Sequence, residues 1–201
     1  MRYEMVTVSV RPGKAPEAIR HAGDALGEHK GPGTLLGFWS TEIGPLNRLI
    51  SLWSHPDAGA YQPVSLDAAW IRPSTEFVTD VQSEEFRLFP FVPDIKPGKY
   101  GPIYELRSYQ LVFGRLPATI ERWRGKIDDR VKISRLTAAM HSVGGSLCKF
   151  VHIWPYESLD QRQKLRALAV EKGVWPPPGG ADSLAQQENA ILLPAPFSPL
   201  Q

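Results

Sequence analysis

The sequence has little cysteine, no long apolar run and no block of like charge, and each absence excludes a class of protein. Cys148 is its one cysteine, which excludes an internal disulfide and fits a reducing compartment. No window approaches the roughly 18 uncharged apolar residues that span a bilayer. The N-terminus alternates apolar and polar residues and lacks the apolar block of a signal peptide. We therefore expect a cytoplasmic protein without membrane insertion.

The charge balance gives no sign of a nucleic-acid partner. The chain has 23 Lys and Arg against 21 Asp and Glu, and no run of like charges stands out. A phosphate backbone is bound by clustered basic side chains, so no nucleic-acid binding is expected. The motifs H-E-x-x-H, C-x-x-C and G-x-G-x-x-G are also missing, so the sequence predicts no metal site and no cofactor.

What the chain does contain is an internal repeat with a constant spacing of 101 positions. The paired residues differ in chemistry, which makes a chance match hard to obtain; examples are Tyr3 with Tyr104, Glu4 with Glu105, Gly44 with Gly145, and Trp53 with Trp154. A segment rich in proline and glycine separates the copies. The sequence therefore predicts a first repeat over residues 1–92, a linker over 93–102 and a second repeat over 103–201.

Each repeat shows the same order of elements. VTVSV and its counterpart YELRSYQLV are typical of strands, and Ile19, Ala22 and Leu26 have helical spacing. Two strands joined by a glycine-containing turn follow, and then a second helix. In the second repeat, Ser158 and Gln161 have the spacing of a capping box at the start of this helix. Prolines in the closing runs FRLFPFV and AILLPAPF predict edge or broken strands.

The order strand, helix, strand, strand, helix, strand predicts an α+β fold made of two tandem ferredoxin-like (βαββαβ) domains. Helices cover one side of such a sheet and leave the other side apolar and exposed. We therefore expect the two sheets to pack against each other, either within the chain or between the chains of a homodimer.

Alternation along the strands predicts which side chains meet a ligand. The aliphatic face of the third strands (Ile50, Leu52, Val151, Ile153) is expected beneath the helices. The other face is expected between the sheets and mixes polar with aromatic side chains: Asn47, Ser51, Trp53, Cys148, Phe150, His152 and Trp154, with Ser108 and Gln110 on the first strand of the second repeat. These polar groups either satisfy one another or line a pocket for a small, partly apolar molecule. His152 is the candidate general acid or base because its ordinary pKa is close to neutrality.

The strings YELRSYQL and HIWPYESLDQRQKLR, with Trp175 beyond them, resemble the NIPSNAP family of the dimeric α+β barrel superfamily. The motif positions are Tyr104, Glu105, Arg107, Trp154, Tyr156, Leu159, Arg162, Arg166 and Trp175. The resemblance implies ferredoxin-like repeats whose sheets pair into a barrel. The first repeat has His55 in place of Tyr156 and lacks both helix arginines, so the second repeat is favoured as the working half.

Arg162 and Arg166 lie one helical turn apart, where like charges repel unless an anion is near. Two interpretations follow: the arginines pair with acidic side chains such as Glu105 and Glu157, or they contact an anionic ligand. Tyr156, Arg162 and Arg166 therefore join the predicted ligand-binding residues.

Three function classes remain open. The first is a protein that binds a small molecule, or a cofactor-free monooxygenase or isomerase of the kind found among barrel relatives, with His152 in the site. The alternatives are a non-enzymatic protein-interaction module and a barrel enzyme that uses haem or a metal. Fold alone does not choose among them, because one architecture supports many activities.

Overall fold

A computed structural model describes residues 1–27, 33–56 and 68–201 of the chain. In the first repeat the described elements are β1 (Arg2–Val10), α1 (Ala15–Leu26), β2 (Thr34–Ile43), β3 (Arg48–His55) and β4 (Val78–Leu88). The second helix predicted for this repeat falls largely on residues outside the described ranges.

The second repeat has the predicted order of elements. It contains β5 (Ile103–Leu111), α2 (Leu116–Arg124), α3 (Ile127–Val131), β6 (Ala138–Gly144), β7 (Lys149–Tyr156), α4 (Leu159–Glu171) and β8 (Leu184–Pro194). The first predicted helix is divided into α2 and α3. The predicted cap of α4 is present, because the Gln161 N–H donates to Ser158 Oγ at 3.1 Å.

The described strands form one closed barrel in the order β1-β3-β2-β8-β5-β7-β6-β4. Each repeat contributes four neighbouring strands, arranged β4-β1-β3-β2 in the first and β8-β5-β7-β6 in the second. The repeats join edge to edge where β2 pairs with β8 and β4 pairs with β6. The expected pairing of two ferredoxin-like sheets into a barrel is therefore confirmed, and it is completed within one chain. A homodimer is not needed to close the barrel and stays a prediction.

The prediction that the last strand of each repeat is an edge or broken strand was wrong. Both β4 and β8 are 11 residues long, and each pairs with a neighbour on both sides. Pro90 follows the end of β4, and Pro194 is the last residue of β8. A proline at a strand end removes no ladder hydrogen bond from the middle of the sheet, so the pairing survives.

Large apolar side chains fill the interior of the barrel. Both repeats contribute to this cluster, which includes Tyr3, Met5, Trp39, Leu52, Phe86, Tyr104, Met140 and Ile153. Two further clusters lie on the outside of the barrel beneath the helices, one in each repeat. Each strand is therefore covered on both faces, which is how a two-layer α+β domain buries its sheet.

The predicted faces of the third strands were wrong. The aliphatic side chains Ile50, Leu52, Val151 and Ile153 point into the barrel, whereas the aromatic face lies on the helix side. The pairing register gives the reason. Val6 pairs directly with Ser51, and paired residues of an antiparallel ladder share a face. Since Val6 packs beneath α1, Ser51 must lie there too, and no pocket between the sheets can use this face.

Ser108 and Gln110 lie on the opposite face of β5 from the predicted histidine site. Ser108 pairs with Val151, whose side chain points into the barrel. Gln110 Nε2 donates to the carbonyl of Leu147 at 2.9 Å, near the turn between β6 and β7. The prediction that these two side chains share one surface with His152 was therefore wrong.

Asn47 and Cys148 were also wrongly assigned to a strand face. Both residues precede their strands and have φ of 57°, the left-handed conformation that turns require. Their carbonyls accept equivalent hydrogen bonds, from the Val10 N–H at 2.9 Å and from the Leu111 N–H at 2.6 Å. These two residues shape the turns of the two repeats.

No helix within the described ranges is long and apolar enough to cross a membrane.

Candidate functional site

A cavity of about 600 Å³ lies on the helix side of the second repeat. Its floor is the outer face of β5 and β7, its walls are α2 and α4, and the segment 175–181 with the start of β8 completes it. The lining side chains are Arg107, Tyr109, Thr119, Arg122, Trp123, Phe150, His152, Arg166, Ala167, Val170, Trp175, Leu184 and Gln187, together with residues 176–181. This volume is within the usual range for small-molecule sites, about 300–1,000 Å³.

Aromatic rings surround the imidazole of His152 at the floor of the cavity. The ring centroids of Trp123 and Tyr109 lie 4.8 and 5.0 Å from it, both edge-to-face. Phe150 stacks against it at 5.6 Å, two residues before it on the same face of β7. Alternation along β7 places Phe150 on the same face as His152, and Tyr109 joins them because it pairs with Phe150 across β5 and β7. Trp123 approaches from α2. The walls are therefore rigid and largely apolar.

Trp154 fixes the tautomer of His152. The indole N–H of Trp154 donates to Nδ1 of His152 at 2.6 Å, and an indole nitrogen can only donate. Nδ1 must therefore be the unprotonated nitrogen, and in the neutral ring Nε2 carries the hydrogen. His152 is only 2% exposed, and its Nε2 has no hydrogen-bond partner within the described part of the chain. An unused and buried N–H donor therefore belongs to a residue that lines the cavity floor.

The surroundings keep His152 neutral. Burial holds its pKa well below the ordinary value of 6.5, and the positive charges of Arg107, Arg166 and Arg130 act in the same direction. A neutral imidazole whose Nδ1 is occupied by Trp154 has no free lone pair to accept a proton. The geometry therefore favours a hydrogen-bond donor in place of the general acid or base that the sequence predicts.

A buried carboxylate gathers three arginines beside the cavity. Glu105 on β5 is fully buried, and its Oε1 accepts from Arg107 Nη1 at 3.1 Å and from Arg162 Nη2 at 2.5 Å. Arg166 Nη1 lies 3.7 Å from the other oxygen, Oε2. An arginine fork suits a buried carboxylate, and one carboxylate here balances one of three positive charges. The cluster therefore carries an excess of positive charge.

The two helix arginines combine both interpretations given for them. Arg162 and Arg166 do pair with Glu105, as the structural interpretation expects. Glu157, the other expected partner, uses its backbone N–H to donate to Gln161 Oε1 at 2.9 Å and helps to open α4. Arg166 also lines the cavity, whereas Arg162 is not among its lining residues.

The charged side chains among the described lining residues are all positive. Arg107, Arg122 and Arg166 all line it, and among the described lining residues none has a carboxylate. Burial lowers the pKa of Arg166, and the neighbouring charge of Arg107 lowers it further. Burial raises the pKa of the Tyr109 phenol, although the nearby Arg107 opposes this rise. These directions are those of a poorly hydrated site with an unbalanced positive charge.

Trp175 anchors the proline-rich segment that covers one side of the cavity. Its ring packs edge-to-face on Trp123 at a centroid distance of 4.7 Å. The buried guanidinium of Arg130 lies 4.4 Å from the centroid of the Trp154 ring and 6.0 Å from that of Trp175. Such cation–π contacts stabilise the aromatic wall from behind.

The structure brings only part of the predicted site together. Phe150, His152 and Arg166 line the cavity. Trp154 and Tyr156 are buried in the helix-side cluster behind the cavity. Arg162 does not line the cavity but pairs with Glu105, which also contacts the lining residues Arg107 and Arg166. Ser51 and Trp53 lie in the first repeat, where the Trp53 indole N–H donates to Ser51 Oγ at 2.9 Å. The functional roles of these residues remain predictions.

Sequence reasoning missed most of the remaining wall. Arg107 and Trp175 are motif positions of the family resemblance, whereas Tyr109, Arg122 and Trp123 are not among the predicted ligand-binding residues. A signal for them exists in the repeat. At the offset of 101, Arg107, Tyr109 and Trp123 replace Val6, Val8 and Ala22 of the first repeat. Where polar or bulky residues stand in the second repeat at positions that are small and aliphatic in the first, the comparison predicts that this surface of the second repeat differs in function.

No group of three or more His, Cys, Asp or Glu side chains positioned to hold a metal ion occurs in residues 1–27, 33–56 and 68–201.

Comparison with known proteins identifies the repeats. The family model described as NIPSNAP matches residues 3–93 and again 104–199, once for each repeat. A protein named NipSnap homolog from Dictyostelium discoideum is 30% identical over 177 residues, covering 86% of this chain and 77% of that protein. Protein NipSnap from Drosophila melanogaster is 25% identical over 184 residues, covering 83% of this chain and 65% of the fly protein. The matched region is therefore under two thirds of the fly relative.

A solved structure supports the fold over nearly the whole chain. A protein from Lactobacillus acidophilus NCFM, named as a candidate monooxygenase, superposes with a TM-score of 0.65. The match covers 96% of this chain and 93% of that chain at 10% sequence identity. Likeness at this identity shows a shared fold and nothing about shared chemistry.

Proposed function

This chain belongs to the NIPSNAP family, and on that premise we propose that its second repeat binds a small, partly apolar molecule in the helix-side cavity. The cavity has the usual makeup of such a site, with aromatic walls and a few polar groups directed inward. A hydrogen-bond acceptor on the ligand would meet Nε2 of His152.

One observation carries this proposal, the unpartnered N–H of His152. A buried donor without a partner costs about 1–3 kcal/mol, so folded proteins rarely leave one unless something else satisfies it. Nε2 is such a donor, and it belongs to a residue that lines a cavity large enough for a ligand. A bound molecule that accepts this hydrogen bond would remove the cost.

A purely structural interpretation competes with this one. The rings of His152 and Trp123 meet edge-to-face, and an N–H directed at an aromatic face would be weakly stabilised. Such a contact is second-order and does not replace a hydrogen bond. It also gives no account of three arginines around a cavity that has no carboxylate among its described lining residues.

Calorimetric titration with 2-naphthamide, a neutral aromatic compound with a hydrogen-bond acceptor, tests the proposal. Ala167 lies on α4 where it faces the cavity, so Ala167→Trp should fill the opening and weaken binding at least about tenfold, or about 1.4 kcal/mol. Gln163→Trp adds the same ring to an exposed position of the same helix that does not line the cavity, and should leave binding unchanged. Equal binding to the two variants would contradict the proposal, as would the absence of binding of both 2-naphthamide and its acid analogue 2-naphthoate to the unaltered protein.

A second candidate function is a cofactor-free monooxygenase or isomerase that uses the same cavity. His152 would then stabilise the negative oxygen of an enolate or phenolate through its N–H, a role that a neutral imidazole performs well. Water or hydroxide from the solvent would take the substrate's proton, because Nδ1 of His152 is occupied and none of the described lining residues has a carboxylate. Deuterium exchange at the methyl group of 2-acetylnaphthalene tests for enolate formation. Exchange no faster than in buffer would contradict this activity and leave the binding proposal standing.

A further inference from the structure

The ligand of the second-repeat cavity has a recognisable chemical class, and this inference rests on the proposed function. We propose that the ligand is a small aromatic acid whose carboxylate is held by His152 Nε2, Arg107 and Arg166 while its ring packs on Trp123 and Trp175.

The three donor side chains all line the cavity, and two of them start from neighbouring positions of its floor. Arg107 and His152 are directly paired across β5 and β7, so their side chains leave the sheet side by side on the cavity face. Arg166 enters from α4 on the opposite wall. A carboxylate has two oxygens with about four acceptor sites, which matches one imidazole N–H and two guanidinium groups.

The charge balance requires an anion. Arg107, Arg162 and Arg166 share Glu105 as their carboxylate partner, so the local charge without a ligand is positive. Glu105 Oε2 has no hydrogen bond, and its contact with Arg166 is long at 3.7 Å. Arg166 is therefore the least committed of the three arginines and the one best placed to turn toward a bound anion.

The apolar part of the ligand is defined by the opposite wall. Trp123 and Trp175 meet edge-to-face at 4.7 Å, and the prolines 176–178 continue this surface. Flat rings pack well on such a surface, either offset-stacked or edge-to-face. A ligand with a planar ring and one carboxylate could therefore contact the tryptophan wall and the basic side chains at the same time.

Paired titrations of 2-naphthoate and 2-naphthamide isolate the charge, because the two compounds share their size and ring. The unaltered protein should bind the naphthoate at least about tenfold more tightly. Arg166→Gln should reduce naphthoate affinity about tenfold and change naphthamide affinity less than about twofold. Lys164→Gln removes the same charge from the same helix at an exposed ion pair with Asp160, and should change neither.

Outcomes of these titrations separate the two proposals. Equal affinity for the two compounds, or an equal loss of both in Arg166→Gln, overturns the acid assignment and leaves the cavity as a binding site. Binding of neither compound overturns the proposed function and this inference with it. Arg122→Gln provides a second test at another lining arginine, with a loss confined to the naphthoate expected.

Discussion

The two repeats share a fold and differ in what lies beneath their helices. In the second repeat the outer face of the sheet carries Arg107, Tyr109, Phe150 and His152 beside a cavity. At the same positions the first repeat has Val6, Val8, Leu49 and Ser51, and these pack beneath α1 with Trp70 and Phe77. The difference teaches that one copy of a duplicated unit can fill this part of its sheet mainly with aliphatic side chains while the other copy accepts charged and aromatic groups there.

The equivalent tryptophans of the two repeats, Trp53 and Trp154, make the same kind of hydrogen bond to different partners. In both repeats an indole N–H donates to the side chain two residues earlier, to Ser51 Oγ in the first and to His152 Nδ1 in the second. In the first repeat the accepting hydroxyl lies inside the core. In the second repeat the accepting imidazole has a second nitrogen that carries a donor, and its residue lines the cavity.

The largest expected effect comes from removing the charge at the centre of the second repeat. Glu105→Gln leaves Arg107, Arg162 and Arg166 without their shared carboxylate, and we expect a loss of about 3 kcal/mol in the free energy of unfolding. Urea denaturation measures this loss. Glu188→Gln, an exposed position on β8, should stay within about 0.5 kcal/mol of the unaltered protein. A loss no larger than that of the control would contradict the charge cluster.

Matched tryptophan substitutions compare the repeats directly. Trp53→Phe and Trp154→Phe each remove one indole hydrogen bond and some buried volume, so each should cost about 2 kcal/mol of unfolding free energy. Only Trp154→Phe should weaken 2-naphthoate binding, by severalfold, because it frees the tautomer of His152. Calorimetry on both variants measures this. A similar loss of affinity in both would mean that the repeats do not differ in function.

A smaller effect separates His152 from its counterpart Ser51 through pH. The pKa of His152 is lowered in the folded protein, so below pH 6.5 the unfolded chain takes up a proton that the folded chain does not. The stabilising effect of a neutral His152 is therefore complete above pH 6.5 and is lost as the pH falls below it. The free energy of unfolding should therefore be lower at pH 5.5 than at pH 7.5.

His152→Ser recreates the pair seen in the first repeat and should abolish this part of the pH dependence. The comparison requires unfolding free energies at pH 7.5 and 5.5 for both proteins. His141, whose pKa burial also lowers, contributes equally to both and cancels. An unchanged pH dependence in the variant would show that His152 titrates normally in the folded state.

Local patterns predicted the repeat, the order of elements and the cap of α4 correctly. Residue spacing encodes these features, since alternation and helical periodicity depend on neighbours in the chain. The edge strands failed because β4 and β8 extend well before the proline-containing runs, from Val78 and from Leu184. Pairing partners from the other repeat, which no local pattern shows, then cover both sides of each strand.

The candidate site was predicted only in part for a related reason. The sequence predicts His152, Phe150 and Arg166 as ligand-binding residues, but it places the strand face that carries His152 and Phe150 between the sheets. Both faces of a closed barrel are buried, so the aliphatic face does not have to be the one beneath the helices. The cavity also needs the segment 175–181, whose position follows from tertiary packing on Trp123. The repeat bounds 1–92 and 103–201 and a cytoplasmic location stay predictions.

The central claim is that the second repeat presents a neutral His152 whose Nε2–H meets the ligand. Nuclear magnetic resonance of protein labelled with ¹⁵N-histidine measures it directly, with His152→Ser assigning the signal. The account predicts a protonated Nε2 and an unprotonated Nδ1 from pH 8 to 6, with a shift of the Nε2–H signal when 2-naphthoate is added. A protonated Nδ1, or a signal that naphthoate leaves unmoved at saturation, would contradict it.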